Sequence, residues 1–82
     1  MTRTASCSCG QLQIECRGEP AKVSLCHCLE CQRRTGSAFG IAAFFEIVDT
    51  KISGQSRAFT RQGDSGFPVT LHFCETCGST VF

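Results

Sequence analysis

Phe73-Cys74-Glu75-Thr76-Cys77-Gly78-Ser79 is the stretch that decides how this chain folds. Two thiols separated by two residues, with a glycine directly after the second, have the form of a zinc knuckle, a tight turn that aims both sulfurs at one ion. A knuckle supplies only half of a tetrahedral site, so a second pair must come from elsewhere. Cys7-Ser8-Cys9-Gly10 offers it. Pairing the two groups gives a closed four-thiolate site that joins the two ends of the sequence, and it leaves Cys26-His27-Cys28-Leu29-Glu30-Cys31 as a separate group of three.

The two expected sites differ in kind. An ion held by four thiolates is saturated and structural, whereas one with three protein ligands keeps a position for water or substrate. Of the eight cysteines only Cys16 lies outside a group. Disulfides usually join cysteines that are distant in sequence, so the clustering favours metal over a disulfide framework. Grouping Cys26, Cys28 and Cys31 with one of the terminal pairs would leave thiols unmatched, but spacing alone leaves that partition open. A redox couple at Cys28/Cys31 or Cys74/Cys77 is a further reading; no helix is expected after either pair to lower a thiol pKa, which counts against it.

Around these groups the pattern is one of strands and turns, with no helix expected to exceed about one turn. Leu12 to Arg17 alternates, placing Leu12, Ile14 and Cys16 on one face, so Cys16 is expected in the core as a small hydrophobe. If Val23 to Cys28 is extended, Ser24, Cys26 and Cys28 share a face opposite Val23, Leu25 and His27, and Cys31 reaches the same ion by a turn. His27 is then poorly placed to bind. Ser37 to Val48 is the most apolar stretch and is expected as a central strand buried on both sides. A short strand between Asp49 and Gln55, a strand over Ser56 to Arg61, a loop over Gln62 to Gly66 and a strand opened by Pro68 complete the order. In that last strand Val69, Leu71 and Phe73 are expected to face the core, with His72 exposed or hydrogen-bonded to a metal-bound sulfur.

Composition fits one small domain over residues 1–82. Its size makes a metal staple the natural source of stability. Net charge is +1, from eight basic and seven acidic residues, with Arg33-Arg34 the only basic pair. That balance argues against nucleic-acid binding. No apolar run follows Met1 to Ser6, so no signal peptide is expected and a reducing, cytoplasmic setting is inferred. The apolar run Ala38 to Phe45 is too short to span a bilayer, and no membrane role is expected.

Ser6-Cys7-Ser8-Cys9-Gly10, Cys26-His27-Cys28-Leu29-Glu30-Cys31-Gln32-Arg33-Arg34-Thr35-Gly36-Ser37 and Phe73-Cys74-Glu75-Thr76-Cys77-Gly78-Ser79 together resemble the three signatures of the glutathione-dependent formaldehyde-activating enzyme (GFA) family, which also includes centromere protein V. The resemblance implies an all-β zinc-stapled β-tent of short coiled sheets with two zinc ions per chain. By motif position it gives Cys7, Cys9, Cys74 and Cys77 to a structural zinc, and Cys26, Cys28 and Cys31 to a substrate-facing one. Members of the family usually continue for several strands beyond the last knuckle. This chain stops at Phe82, which implies a truncated sheet and pocket.

The implied reaction, of the carbon-sulfur lyase class, adds the thiol of glutathione to formaldehyde to give S-hydroxymethylglutathione. An open zinc can bind a thiol as thiolate and polarise an aldehyde oxygen. Arg33 or Arg34 would grip a glutathione carboxylate, with the amides of Gly36 and Ser37 donating to it; the alternative is that both arginines are solvated surface charges. The rival function is a non-catalytic zinc-stapled module that recognises a protein partner. The final residues, Thr80 to Phe82, are expected to form an apolar strand with nothing to pair with, so a homo-oligomer is expected, with Phe82 and the Phe39 to Phe45 stretch at the contact.

Overall fold

The computed structural model describes residues 1–63 and 65–82; Asp64, within the expected Gln62 to Gly66 loop, lies outside the described residues. Among the described residues seven strands form three small antiparallel sheets, accompanied by one short helix. In chain order the elements are β1 (Thr2–Ser6), β2 (Gln13–Arg17), β3 (Lys22–Cys26), α1 (Leu29–Thr35), β4 (Gly40–Phe44), a 3-10 turn (Ile47–Asp49), β5 (Thr50–Ser53), β6 (Arg57–Gln62) and β7 (Pro68–Phe73). One sheet has the order β1-β2-β5, and the others are the pairs β3-β4 and β6-β7. No helix among the described residues is long and apolar enough to cross a membrane.

β2 follows its alternation: Leu12 and Cys16 are buried and Ile14 half-buried, while Glu15 and Arg17 are exposed. Pairing Ile14 with Ala5 on one side and Ile52 on the other sets the register of the three-stranded sheet. The core lies at the end of that sheet, where Cys7, Leu12 and Cys74 are buried and Val81 and Phe82 pack against them. Leu12 and Cys74 have no exposed surface at all. The interior is thus built around sulfur.

Three expectations are corrected. The apolar Ser37 to Val48 stretch is not a doubly buried central strand: only Gly40–Phe44 is extended, and it pairs with β3 alone. Its apolar residues face solvent, with Ile41 62%, Phe44 48% and Ile47 86% exposed, because a two-stranded sheet has no second layer to cover it. A helix also replaces the expected turn after Cys28. α1 runs for seven residues and ends at Gly36, whose amide donates to the carbonyl of Gln32 at 2.8 Å.

The third correction concerns the final residues, which do not present an open edge. Thr80 bridges to Phe73, the amide of Val81 donates to the carbonyl of His72 at 2.9 Å, and the His72 amide donates to the carbonyl of Phe82. The chain folds back along β7, and the Phe82 ring stacks on His72 with centroids 4.6 Å apart. A contact through Phe82 therefore loses its physical basis. His72 is half-buried by the stacking rather than exposed, and its Nδ1 lies 3.4 Å from the hydroxyl of Ser56, not against a sulfur.

Candidate metal centres

The first knuckle is the tip of the β1–β2 hairpin. The Cys7 amide donates to the Leu12 carbonyl at 3.0 Å and the Leu12 amide to Cys7 Sγ at 3.3 Å, a short loop that carries Cys9 outward. The second knuckle follows β7. There the Gly78 amide donates to the Cys74 carbonyl at 2.7 Å and the Cys74 amide to the Ser79 carbonyl at 2.9 Å, a turn that needs the positive φ of 82° at Gly78. Ser79 joins the two, its hydroxyl accepting from the Ser8 amide at 3.2 Å and lying 3.0 Å from the Ser8 hydroxyl.

The sulfurs of Cys7, Cys9, Cys74 and Cys77 all lie within 4.8 Å of one another. The Cys7–Cys9 and Cys9–Cys74 Sγ distances are both 3.7 Å. A tetrahedral ion with metal–sulfur bonds of about 2.3 Å would set its sulfurs about 3.8 Å apart, so the spacing fits a coordinated metal. It is far too long for a disulfide, and every cysteine is a free thiol.

The second cluster comes from one continuous segment. Cys26 ends β3, Cys28 caps the N-terminus of α1 and Cys31 sits in its first turn, again with all three sulfurs within 4.8 Å. The Cys31 amide donates to Cys28 Sγ at 3.5 Å. Gln32 closes the loop by donating from its amide to the Cys28 carbonyl and from Nε2 to the His27 carbonyl, at 3.0 and 2.9 Å. Cys31 is buried, Cys28 half-buried and Cys26 exposed, which leaves one face of this cluster open. His27 is exposed and belongs to neither cluster.

The electrostatics of both clusters reflect crowded thiols. The hydroxyl of Ser79, then its amide and that of Cys9, hold Cys77 down to about 5. The Gln11 side-chain amide is the main influence lowering Cys74. Cys9 is pushed up to about 11: the Gln11 backbone amide opposes the shift, but desolvation and the thiols of Cys7, Cys74 and Cys77 outweigh it. In the second cluster the Cys31 amide, with the neighbouring thiols, lowers Cys28, and because α1 does follow Cys28 the expected lack of a helix no longer counts against thiolate character there. Cys31 is raised by the Cys26 thiol, by burial and by Cys28, with the Arg34 guanidinium opposing. Protons held by such crowded thiols must leave when a cation binds, so metal affinity in both clusters falls as pH falls.

The remaining residues singled out from sequence divide. Arg34 lies over Gly40, the residue paired with Cys26, so close that a Cβ there would sit 2.5 Å from Arg34 Nη2. Arg33 is held by Glu30 at 2.8 Å. The amides of Gly36 and Ser37 are already engaged, by the Gln32 carbonyl and by the Thr35 hydroxyl at 3.2 Å, and are not free to hold an anion. Cys16 is buried on β2 away from both clusters. Cys16→Ala is accordingly expected to keep the full metal content of the parent protein, which metal analysis of the two proteins side by side checks.

Gln11 was not anticipated. Its Nε2 donates to Cys74 Sγ at 3.0 Å and to the Gln55 carbonyl at 2.7 Å, and its Oε1 accepts from the Gln55 amide at 2.9 Å. One side chain thus orients a cluster sulfur and ties it to the turn after β5. Gln11→Ala removes the donor to a fully buried thiol, while the exposed Gln55 main chain it releases can turn to water, and a loss of about 0.5–1.5 kcal/mol is expected in denaturant unfolding of the metal-loaded protein. No local pattern announces this role; its only hint is adjacency to the Cys-x-Cys-Gly turn.

The sequence profile described as glutathione-dependent formaldehyde-activating enzyme (GFA) matches residues 2–82. The chain belongs to that family. No curated protein matches it.

Proposed function

We propose that this GFA-family chain holds two zinc ions, a closed structural one at Cys7, Cys9, Cys74 and Cys77 and an open one at Cys26, Cys28 and Cys31, and that the open site takes a small thiol. The observation that carries this is the partition of seven clustered sulfurs into a set of four and a set of three with one exposed face. Cys26, Cys28 and Cys31 would hold the open zinc, which when bound would supply Lewis acidity favouring the thiolate form of an incoming thiol. Glutathione is the thiol the family name supplies, and formaldehyde its acceptor. The sulfur–carbon bond forms, the carbonyl π electrons move to oxygen, and the thiol proton ends on that oxygen by way of solvent.

The chain's own residues position and neutralise. α1 and β3 hold the three sulfurs on one side, leaving the exposed Cys26 edge for entry. Arg34, beside Cys31, offsets the negative charge of three thiolates. Neither histidine is assigned a proton relay, since His27 is exposed and outside the cysteine cluster and His72 is stacked on Phe82. The chemistry thus rests on the cysteine site.

Metal analysis and glutathione titration on one reduced sample test this reading. Two zinc ions per chain are expected. In the cobalt-substituted protein, glutathione is expected to add sulfur-to-cobalt charge-transfer intensity that Cys26→Ser abolishes. One ion per chain, or two with no response to thiol, would favour the non-catalytic interaction module instead.

A further inference from the structure

Between α1 and the β6–β7 hairpin lies a cleft of about 380 Å³. That is within the size range of small-molecule sites. Its floor follows from the register of the hairpin. Residues paired across it share a face, and the pairs Phe59–Leu71 and Arg57–Phe73 place Phe59, Leu71 and Phe73 together on the side that lines the cleft, with Arg61 two residues further along β6. The wall is one face of α1, where Glu30, Arg33 and Arg34 are spaced three and four residues apart.

Charge is unbalanced in this cleft. Three guanidinium groups line it against a single carboxylate, Glu30, and that carboxylate is already paired with Arg33. Glu75, the nearest acid on the following knuckle, is paired with Arg57 at 3.6 Å. Among the described residues Arg34 and Arg61 have no carboxylate partner. Beneath them Phe59 is 54% exposed, an aromatic face open to whatever enters.

We propose that this cleft is a binding site for a small organic anion with a flat apolar body, of the arylalkyl carboxylate class. The carboxylate would meet the guanidinium groups of Arg34 and Arg61, and the ring would cover Phe59 and Leu71. A bare inorganic anion would leave the aromatic floor wet, and a neutral arene would leave the Arg61 cation uncompensated. The combination selects for both features in one molecule. The site adjoins the three-cysteine cluster through Arg34 but does not use its sulfurs.

Titration of isotopically labelled, zinc-loaded protein with 3-phenylpropionate, followed by NMR, tests the proposal against two controls, 3-phenylpropan-1-ol and acetate. Saturable shifts at Phe59, Arg61 and Leu71 are expected, with 3-phenylpropionate binding about fivefold or more tightly than either control. Arg61→Gln should lose most of that advantage, and Arg61→Lys should retain part of it. Equal binding by the alcohol, equal binding by acetate, or shifts confined to residues 26–31 would each overturn the proposal. If Arg61→Gln loses zinc and misfolds, the comparison of the three probes on the parent protein decides. The probes carry no thiol, so their failure would leave the thiol-binding reading untouched.

Discussion

Stripping metal from the protein loaded as proposed, with a strong chelator under reducing conditions, is expected to unfold the whole chain cooperatively, not to loosen its knuckles alone. Among the described residues the buried side chains are those of Leu12 and of Cys7, Cys16, Cys31 and Cys74, so almost nothing apolar would remain to hold the interior without an ion on the sulfurs. The sheets cannot compensate. Two of the three have only two strands each, one of them extended by the short return of Thr80 to Phe82, and such pairs are marginal in water on their own. Structural zinc contributes an apparent ~10–16 kcal/mol at neutral pH, comparable to the entire stability of an ordinary domain.

Cys74→Ser should have the same consequence by removing the one thiol of the four-cysteine cluster with no exposed surface. Acid should act by this route as well, because protonation of the ligand thiols competes directly with the ion. Far-ultraviolet circular dichroism and amide dispersion during chelation, then after zinc is restored, provide the check. A chain that keeps a dispersed native spectrum without metal would show that the core is larger than its buried residues imply.

The parts of this fold that are legible in sequence are those specified over a few residues. The knuckles announce themselves through spacing, and β2 through the alternation of Leu12, Ile14 and Cys16. α1 was missed because its determinant is a sulfur: Cys28 caps it by accepting from the Cys31 amide, and only Cys31 is buried on its length, so no apolar periodicity marks it. The Ser37 to Val48 stretch misled for the opposite reason. Apolar composition records a preference for burial but not whether a second layer exists to satisfy it, and here Val23, Leu25 and Ile41 all stay more than half exposed. The return of Thr80 to Phe82 along β7, like the grip of Gln11 on Gln55, depends on tertiary placement that no local pattern encodes.

Gly54→Ala is expected to be among the most damaging single changes outside the cysteines. Gly54 has φ +94°, and a Cβ built there would lie 1.9 Å from the Gln11 carbonyl oxygen, 2.8 Å from its carbon and 2.9 Å from Leu12 Cα. All three atoms are backbone, so no rotamer change can relieve the clash. The segment that must move is the one that orients Cys74 through Gln11 and fills the core with Leu12. The turn and the closed metal site would be displaced together. A loss of at least about 3 kcal/mol is expected, with weaker metal retention, from the steric clash added to a disfavoured backbone conformation. Gly66 supplies the control, because its φ of +87° is similar but nothing lies within 4 Å of its hypothetical Cβ. Gly66→Ala should cost only about 1–2 kcal/mol, from the left-handed conformation alone. Denaturant unfolding of the two zinc-loaded variants separates these contributions, and equal losses would mean that β5 and the first knuckle do not approach as closely as 1.9 Å implies.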